Sequence, residues 1–411
     1  MHFSPFSKKL RRIANGDLCA GCGACAGIFP DKLSMEMSPP GFLRPREIAP
    51  LNATEEETLA RFCPALGQTV DGQGRTDHTL WGPYLEMQTG WSTDPDVRFA
   101  GASGGALSAL LLYLLESGEV DAVVQVAAAS ETPIANMTVI STDRVGILGA
   151  AGSRYAPSAP LAQLQDLLAT KLRYAFVGKP CDVAALRSLA SEKEEVAAVF
   201  PVILSFFCAG VPSQAGGEEV LAALGAEPED VSRFRYRGQG WPGRATATLQ
   251  DGSERSMSYH ESWGGILSKH VQHRCKICAD GTGKAADIVC ADAWESDAAG
   301  YPVFDEADGV SLIVGRTALG VRIIENSVAA NHIKTEPFDV AQLAAIQPGQ
   351  RERRRALLAR LLALRLAGLP VPKYIGLHLW SAARQNPLSR NLRNFLGMLR
   401  RVLRRRLTGR D

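Results

Sequence analysis

Aromatic residues are scarce in this chain, 7% of 411, and no apolar run is long enough to cross a bilayer comfortably. The uncharged stretch at residues 196–212 is interrupted by Pro201 and reads as a buried strand rather than a membrane span. The opening Met1-His-Phe-Ser-Pro-Phe-Ser-Lys-Lys-Leu-Arg-Arg12 lacks the apolar centre of a secretory signal, so a cytoplasmic protein is expected. There is no internal repeat and no low-complexity region. Net charge is only +2, with 46% hydrophobic and 21% charged residues, an ordinary globular balance with room for two or three domains. Cysteine is limited to nine residues, and they fall in clusters, which excludes a disulfide scaffold. Oxygen-sensitive thiolate ligands fit a reducing compartment.

The clusters are the informative part. Cys19-x2-Cys22-x2-Cys25 is followed downstream by a lone Cys63-Pro64. Bacterial ferredoxins use a C-x2-C-x2-C-x3-C-P run, whose last Cys serves a second cluster. Here Phe29-Pro30 stands at the x3 position, and Cys63-Pro64 supplies the returning Cys-Pro. Cys19, Cys22, Cys25 and Cys63 thus form a closed set for one 4Fe-4S cluster. Ala20, Gly21, Gly23 and Ala24 let backbone amides approach its sulfurs. Structural zinc usually takes two separated C-x2-C pairs rather than a tight triplet, and a radical-SAM triplet needs a longer first gap.

Residues 1–80 read as Pro/Gly-rich and irregular, apart from the triplet and a short acidic helix near 55–62, with a linker at 71–77. From Tyr84 strands and helices alternate: helix 106–117, strand 122–126, helix 161–172, strand 174–177, a helix from 181, strand 202–207, helix 218–224. This rhythm predicts an α/β fold with a mostly parallel sheet core. Residues 231–260 read as a hairpin turning at Asp251-Gly252.

Four more cysteines, Cys181, Cys208, Cys275 and Cys278, fall in the α/β part. Cys181 and Cys208 follow consecutive strands, and in a parallel sheet such strand ends open on one edge. That edge is where open α/β sheets bind ligands. With the incoming Cys275-x2-Cys278 they make a second 4Fe-4S set. Each also has a plainer reading: Cys208 as a small buried apolar residue, and Cys181 beside Lys179 as a reactive thiol. Cys290, left over, reads as a packing residue.

Gly101-Ala-Ser-Gly-Gly-Ala106 opens onto a helix, a setting that suits an anion but equally permits tight helix packing. It lacks the G-x-G-x-x-G spacing and acidic ribose partner of a nicotinamide site. Gly152-Ser-Arg-Tyr155 and Gly178-Lys-Pro-Cys181 bring hydroxyls and a cation, with Lys179 a candidate cofactor contact, to strand edges. In Tyr236-Arg-Gly-Gln-Gly-Trp-Pro-Gly243, Trp241 could cover a planar ring or anchor the core.

Taken in order, Gly101–Ala106, Ser153-Arg-Tyr155, Gly178-Lys-Pro-Cys-Asp-Val-Ala-Ala-Leu186, Phe207-Cys-Ala-Gly-Val-Pro212, Arg237-Gly-Gln-Gly-Trp-Pro-Gly243 and Arg274-Cys-Lys-Ile-Cys-Ala-Asp280 resemble the FrhB/FdhB family. These are the beta subunits of the deazaflavin-coenzyme hydrogenases and dehydrogenases. The family also includes plant 7-hydroxymethyl-chlorophyll reductase and a ferredoxin-dependent 8-vinyl reductase. The resemblance spans roughly residues 15–375. It implies FAD on the α/β core, with contacts at Ser103, Gly104, Gly105, Ser153 and Tyr155. Electrons from a one-electron donor such as ferredoxin would pass through two 4Fe-4S clusters to FAD and on to a small organic acceptor. The other reading is a beta subunit exchanging hydride with the deazaflavin coenzyme inside a larger complex. The domains implied are a ferredoxin-like iron-sulfur region at 1–80, a flavin-binding N-terminal-type part at 81–170, a C-terminal-type part with the second cysteines at 171–345, and a helical basic tail at 346–411. Where the family often has Gly before Asp-Ala-Trp, this chain has Cys290-Ala-Asp-Ala-Trp294. His260, His270 and His273 are candidate proton donors.

Residues 384–411 hold nine Arg, no Lys and one Asp, +8, so the rest of the +2 chain carries −6. Leu388, Leu392, Phe395, Leu396, Leu399, Val402, Leu403 and Leu407 recur at helical spacing. Such a basic C-terminal helix suits peripheral contact with an anionic membrane or an acidic partner such as a ferredoxin; the plainer alternative is a terminal helix packed on the body. Nothing else in the chain supports nucleic-acid binding.

Overall fold

The computed structural model describes residues 6–408, apart from 73, 294–302 and 304; Trp294 of the departing run lies outside the described residues. Eight strands form the central sheet: β1 Glu86–Ser92, β2 Ala122–Ala128, β3 Asn136–Ser141, β4 Tyr174–Gly178, β5 Val202–Phe206, β6 Ile288–Asp292, β7 Ser311–Gly315 and β8 Ile333–Pro337. Their order is β8-β1-β7-β6-β5-β4-β2-β3. The middle, β6-β5-β4-β2, is parallel. Both flanks are antiparallel.

The sheet is therefore mixed, which corrects the expectation of a mostly parallel one. The regular strand-helix alternation of 122–206 does produce parallel neighbours. The antiparallel flank is built from strands at both ends of the core sequence, and short apolar runs such as Ser311-Leu-Ile-Val-Gly315 carry no local sign of direction. The central strands are mostly apolar, and β4 is buried at every position, as strands covered on both faces require. At the β3 edge Met137 and Ile140 are exposed.

Four helices position the candidate site: α1 Ala106–Glu116, α2 Pro180–Glu192, α3 Pro348–Leu366 and α4 Leu388–Thr408. The first is nearly all apolar and buried, packing Leu110, Leu111 and Leu114 into the core beneath the sheet. Pro180 opens α2, where its missing N–H is no loss, and Asp182 accepts the Lys179 amide at 2.9 Å. The expected hairpin at 231–260 is present as Arg244–Leu249 and Glu254–Ser258, with Val231–Arg235 as a third antiparallel strand.

The N-terminal region is more regular than its Pro/Gly content suggests. Helices Lys8–Asn15 and Ala53–Phe62 flank a hairpin, Leu33–Ser38 with Phe42–Glu47, which uses the Pro-Pro-Gly at 39–41 as its turn. Asn52 and Glu55 cap the second helix reciprocally. At the end of the expected linker, Thr76–His78 pairs with Gly82–Tyr84. One apolar cluster runs from Leu10 and Phe62 through Phe176 to Leu357, Met398 and Val402, so both ends of the chain share a core with the sheet.

Candidate functional site

None of the nine cysteines is in a disulfide, and eight of them lie near one another in two places. Cys19, Cys22, Cys25 and Cys63 line one buried hollow, closed by Leu10, Ile13, Leu59 and Phe62. Cys22 and Cys25 lie on either side of Gly23, whose φ of 83° starts the short helix Ala24–Ile28. A side chain at Gly23 would meet the Ala162 amide at 2.7 Å, so the ligand loop is pressed against the α/β core. The Gly21 amide donates to the Cys19 sulfur at 3.4 Å.

Cys181 sits in the first turn of α2 and Cys208 just beyond β5, at the carboxyl edge of neighbouring parallel strands. Cys275 and Cys278 arrive on the turn around His273–Lys276. Cys208 feels the charge of both, and Cys181 feels that of Cys208. The Val211 amide and the Gln272 side chain donate to the Cys275 sulfur at 3.4 and 3.5 Å. Burial, followed by the neighbouring thiols, pushes Cys63 and Cys208 up to about 12. Bare thiols are neutral there, and thiolates require a cationic centre among them. Among the described residues no three Cys, His, Asp or Glu side chains close on a point as the ligands of one ion do.

The sets are adjacent. Cys181 feels Cys22, and Cys22 feels Asp182. Gln272 donates both to the Ala20 carbonyl and to the Cys275 sulfur. Arg274, 2% exposed, reaches the Pro64 carbonyl at 3.0 Å and the Ile277 carbonyl at 3.5 Å, tying the Cys63 loop to the Cys275–Cys278 turn. Arg274→Gln should lower the denaturant midpoint by about 1–3 kcal/mol worth of stability, since buried carbonyls lose their donor. A midpoint unchanged in urea would show that the guanidinium is not a tie.

Two cavities open at this edge of the sheet. One of about 530 Å³ is lined by Cys275, Tyr259, Trp263, Gln350 and Arg353, with His260 at its wall. The other, about 310 Å³, is lined by Ser153, Arg154, Arg233, Arg235 and Arg237. Between them stands a knot that sequence reasoning did not assemble. Arg237, buried, grips Asp292 at the end of β6 with two hydrogen bonds of 2.8 and 2.7 Å. Its guanidinium lies 4.9 Å over the Tyr259 ring. Tyr155 packs on Trp263 at 4.8 Å.

Of the residues expected to touch a cofactor, Ser153 lines the smaller cavity and Tyr155 belongs to the dividing wall. The Ser103 hydroxyl donates to the Val310 carbonyl at 2.8 Å. Gly104 and Gly105, with φ of 62° and 68°, lie where a side chain would strike the Ser311 amide and the Val97 carbonyl. The glycines are thus required by the backbone itself. The 100–101, 152–153 and 237–240 loops do meet, through Gly152, Gly238 and the Ala100 carbonyl. The Lys179 ammonium is held by Ser158 and Asp182, both at 2.8 Å, and faces Cys181 and Cys208. Trp241 is a core anchor, and Cys290 packs in the core. His270 is engaged by Glu219 at 2.8 Å, and His273 opens the turn that carries Cys275.

Fold and site together define a mixed α/β protein with two groups of thiols, the first lining a hollow and the second half-buried beside the larger cavity at the sheet's carboxyl edge. The chain belongs to the family of coenzyme F420 hydrogenase/dehydrogenase beta subunits: the family's N-terminal domain matches residues 87–165 and its C-terminal domain residues 171–341. This bears out the resemblance drawn from the motifs. A coenzyme F420 hydrogenase subunit beta of Methanococcus voltae is 26% identical over 71% of this chain and 99% of its own length. The coenzyme F420 hydrogenase subunit beta of Methanothermobacter thermautotrophicus is 23% identical, again over 71% of this chain and 99% of its own. A chain of the F420-reducing [NiFe] hydrogenase complex from Methanosarcina barkeri shares the fold, with a TM-score of 0.52 and 21% identity, covering 72% of this chain and 93% of that one. No helix among the described residues is long and apolar enough to cross a membrane.

Proposed function

We propose that this chain is the electron-transferring beta subunit of an oxidoreductase that uses a deazaflavin coenzyme of the F420 type, with two 4Fe-4S clusters and FAD. The observation that carries the proposal is the adjacency of the two thiol sets across Gln272, with the second set opening through Cys275 onto the larger cavity. Near-complete coverage of the beta subunit of Methanococcus voltae supports this reading over a reductase working alone.

The thiol sets suit iron-sulfur clusters by the chemistry of their donors. Buried and half-buried thiols are clustered without a disulfide, and backbone amides already point at Cys19 and Cys275. Hydrogen bonds to cluster sulfurs are a principal means of setting reduction potential. For FAD, the smaller cavity offers four arginines for a pyrophosphate, and the buried Nε of Arg235 has no hydrogen-bond partner among the described residues. The flavin would supply the exchange between single electrons and hydride, which no side chain performs. Cys275, Gln272 and Lys179 would hold and tune the cluster nearest it, Tyr155, Tyr259 and the Arg237–Asp292 pair would fix the wall between the cavities, and His260 would be placed to move a proton at the larger one.

The test is an anaerobic assay of the purified holoprotein with reduced coenzyme F420 and a viologen acceptor. Oxidation of the coenzyme coupled to dye reduction is the expected result. Dye-driven activity on other acceptors with none toward coenzyme F420 would favour the free-standing reductase instead.

A further inference from the structure

The C-terminal helix α4 contains no acidic residue over its 21 positions. It runs alongside α3 in the same direction: Arg390 pairs with Glu352 at 2.7 Å at one end, and Arg406 donates to the Ala367 carbonyl at 2.7 Å at the other. One face packs on the body, with Met398 and Val402 buried and Phe395 and Leu399 half-buried against them. This settles half of the sequence expectation, because the helix is part of the folded body.

The same helix has a second apolar face that the body leaves uncovered. Leu388, Leu392, Leu396, Leu403 and Leu407 are between 53% and 87% exposed. At 3.6 residues per turn they fall within an arc of about 100°. Arg393 and Arg400 are exposed on the far side of that arc from the buried face. The helix therefore has three sectors in order round its axis: attached to the body, aliphatic and open, and basic. Leu366 on α3 and Trp380, on the short helix before α4, are also exposed, at 73% and 67%.

We infer that α4 is a membrane-docking surface that seats the protein on anionic phospholipid. An aliphatic stripe beside a cationic one is the arrangement of a helix lying in the interfacial plane, with leucines in the acyl boundary and arginines at headgroup level. The composition favours lipid over a protein partner. Protein interfaces concentrate their binding energy in Trp, Tyr and Arg anchors, with Leu under-represented, whereas this stripe is leucine throughout. The charge fits as well, since the rest of the chain carries −6 and the basic residues are concentrated where contact would occur. The attachment to α3 fixes the body's orientation, so the helix would hold the protein at the surface without crossing it.

The experiment is flotation of the full-length holoprotein with vesicles of phosphatidylcholine, with and without phosphatidylglycerol. Binding is expected only to the anionic vesicles and should weaken with added salt. The double variant Arg393→Gln, Arg400→Gln should bind about twenty-five-fold more weakly, on the scale of roughly fivefold per basic residue near such a surface. Leu396→Glu with Leu403→Glu should abolish binding, with iron, flavin and melting temperature unchanged because both side chains are already in water. Absence of flotation with phosphatidylglycerol overturns the inference. So does a change of oligomeric state in the leucine variant, which would make the stripe a contact between copies, or binding to an acidic ferredoxin without binding to vesicles. None of these readouts depends on the redox activity, so the inference and the proposed function fail separately.

Discussion

Anaerobically prepared Cys63→Ala protein is expected to lose about four of about eight iron atoms and to keep its flavin. Cys63 closes the hollow that Cys19, Cys22 and Cys25 line, while the second set stands on the α/β core at strand ends that do not depend on it. Cys208→Ala should remove the other four and leave the first set filled. The pair of variants distinguishes two independent sites from one shared site. Because the sets touch through Gln272 and Arg274, each loss should also shift the reduction potential of the cluster that remains. Redox titration followed by EPR reads that shift. Loss of all iron in either variant would mean that the eight thiols form one cooperative centre.

Arg235→Ala should release most of the flavin while leaving iron content unchanged. Arg235 is half-buried in the smaller cavity, and its buried Nε has no hydrogen-bond partner among the described residues, so its removal breaks no protein contact at that atom. A guanidinium bound to a phosphate contributes about 1.5–3 kcal/mol, or roughly a tenfold to hundredfold loss of affinity when removed. Replacing Gly104 or Gly105 would be a poorer test. Their positive φ and contact with the Ser311 amide and Val97 carbonyl mean that a side chain there damages the fold. The chromophore released by heat should run as FAD on chromatography. Full flavin occupancy in Arg235→Ala would place the phosphates elsewhere.

What the sequence made legible was mostly local. The cysteine spacing divided the thiols between the N-terminal loops and the strand ends of the α/β part, because C-x2-C turns and strand-end positions constrain where a sulfur can go. The 122–206 strand-helix rhythm likewise yielded the parallel centre of the sheet. The antiparallel flank of β7, β1 and β8 was missed because its strands lie far apart in sequence, β1 pairing with β7 and β8 across more than two hundred positions. The Arg237–Asp292 knot was missed for the same reason. Each residue was visible in its own motif, and nothing local joins positions 55 apart. The glycine loop at 101–106 shows the converse limit: its pattern suits an anion, and close backbone packing demands the same glycines. The stripe on α4 was legible as periodicity, but only the packing against α3 shows which leucines remain open.

The most direct test of the account is the iron, sulfide and flavin content of a single anaerobic preparation of the intact chain. The account predicts about eight iron, about eight sulfide and one FAD per chain, from two cubane clusters and one flavin. About four iron with full flavin would remove the second cluster, and thiols filled by zinc, or empty beside a protein without flavin, would contradict the electron path altogether.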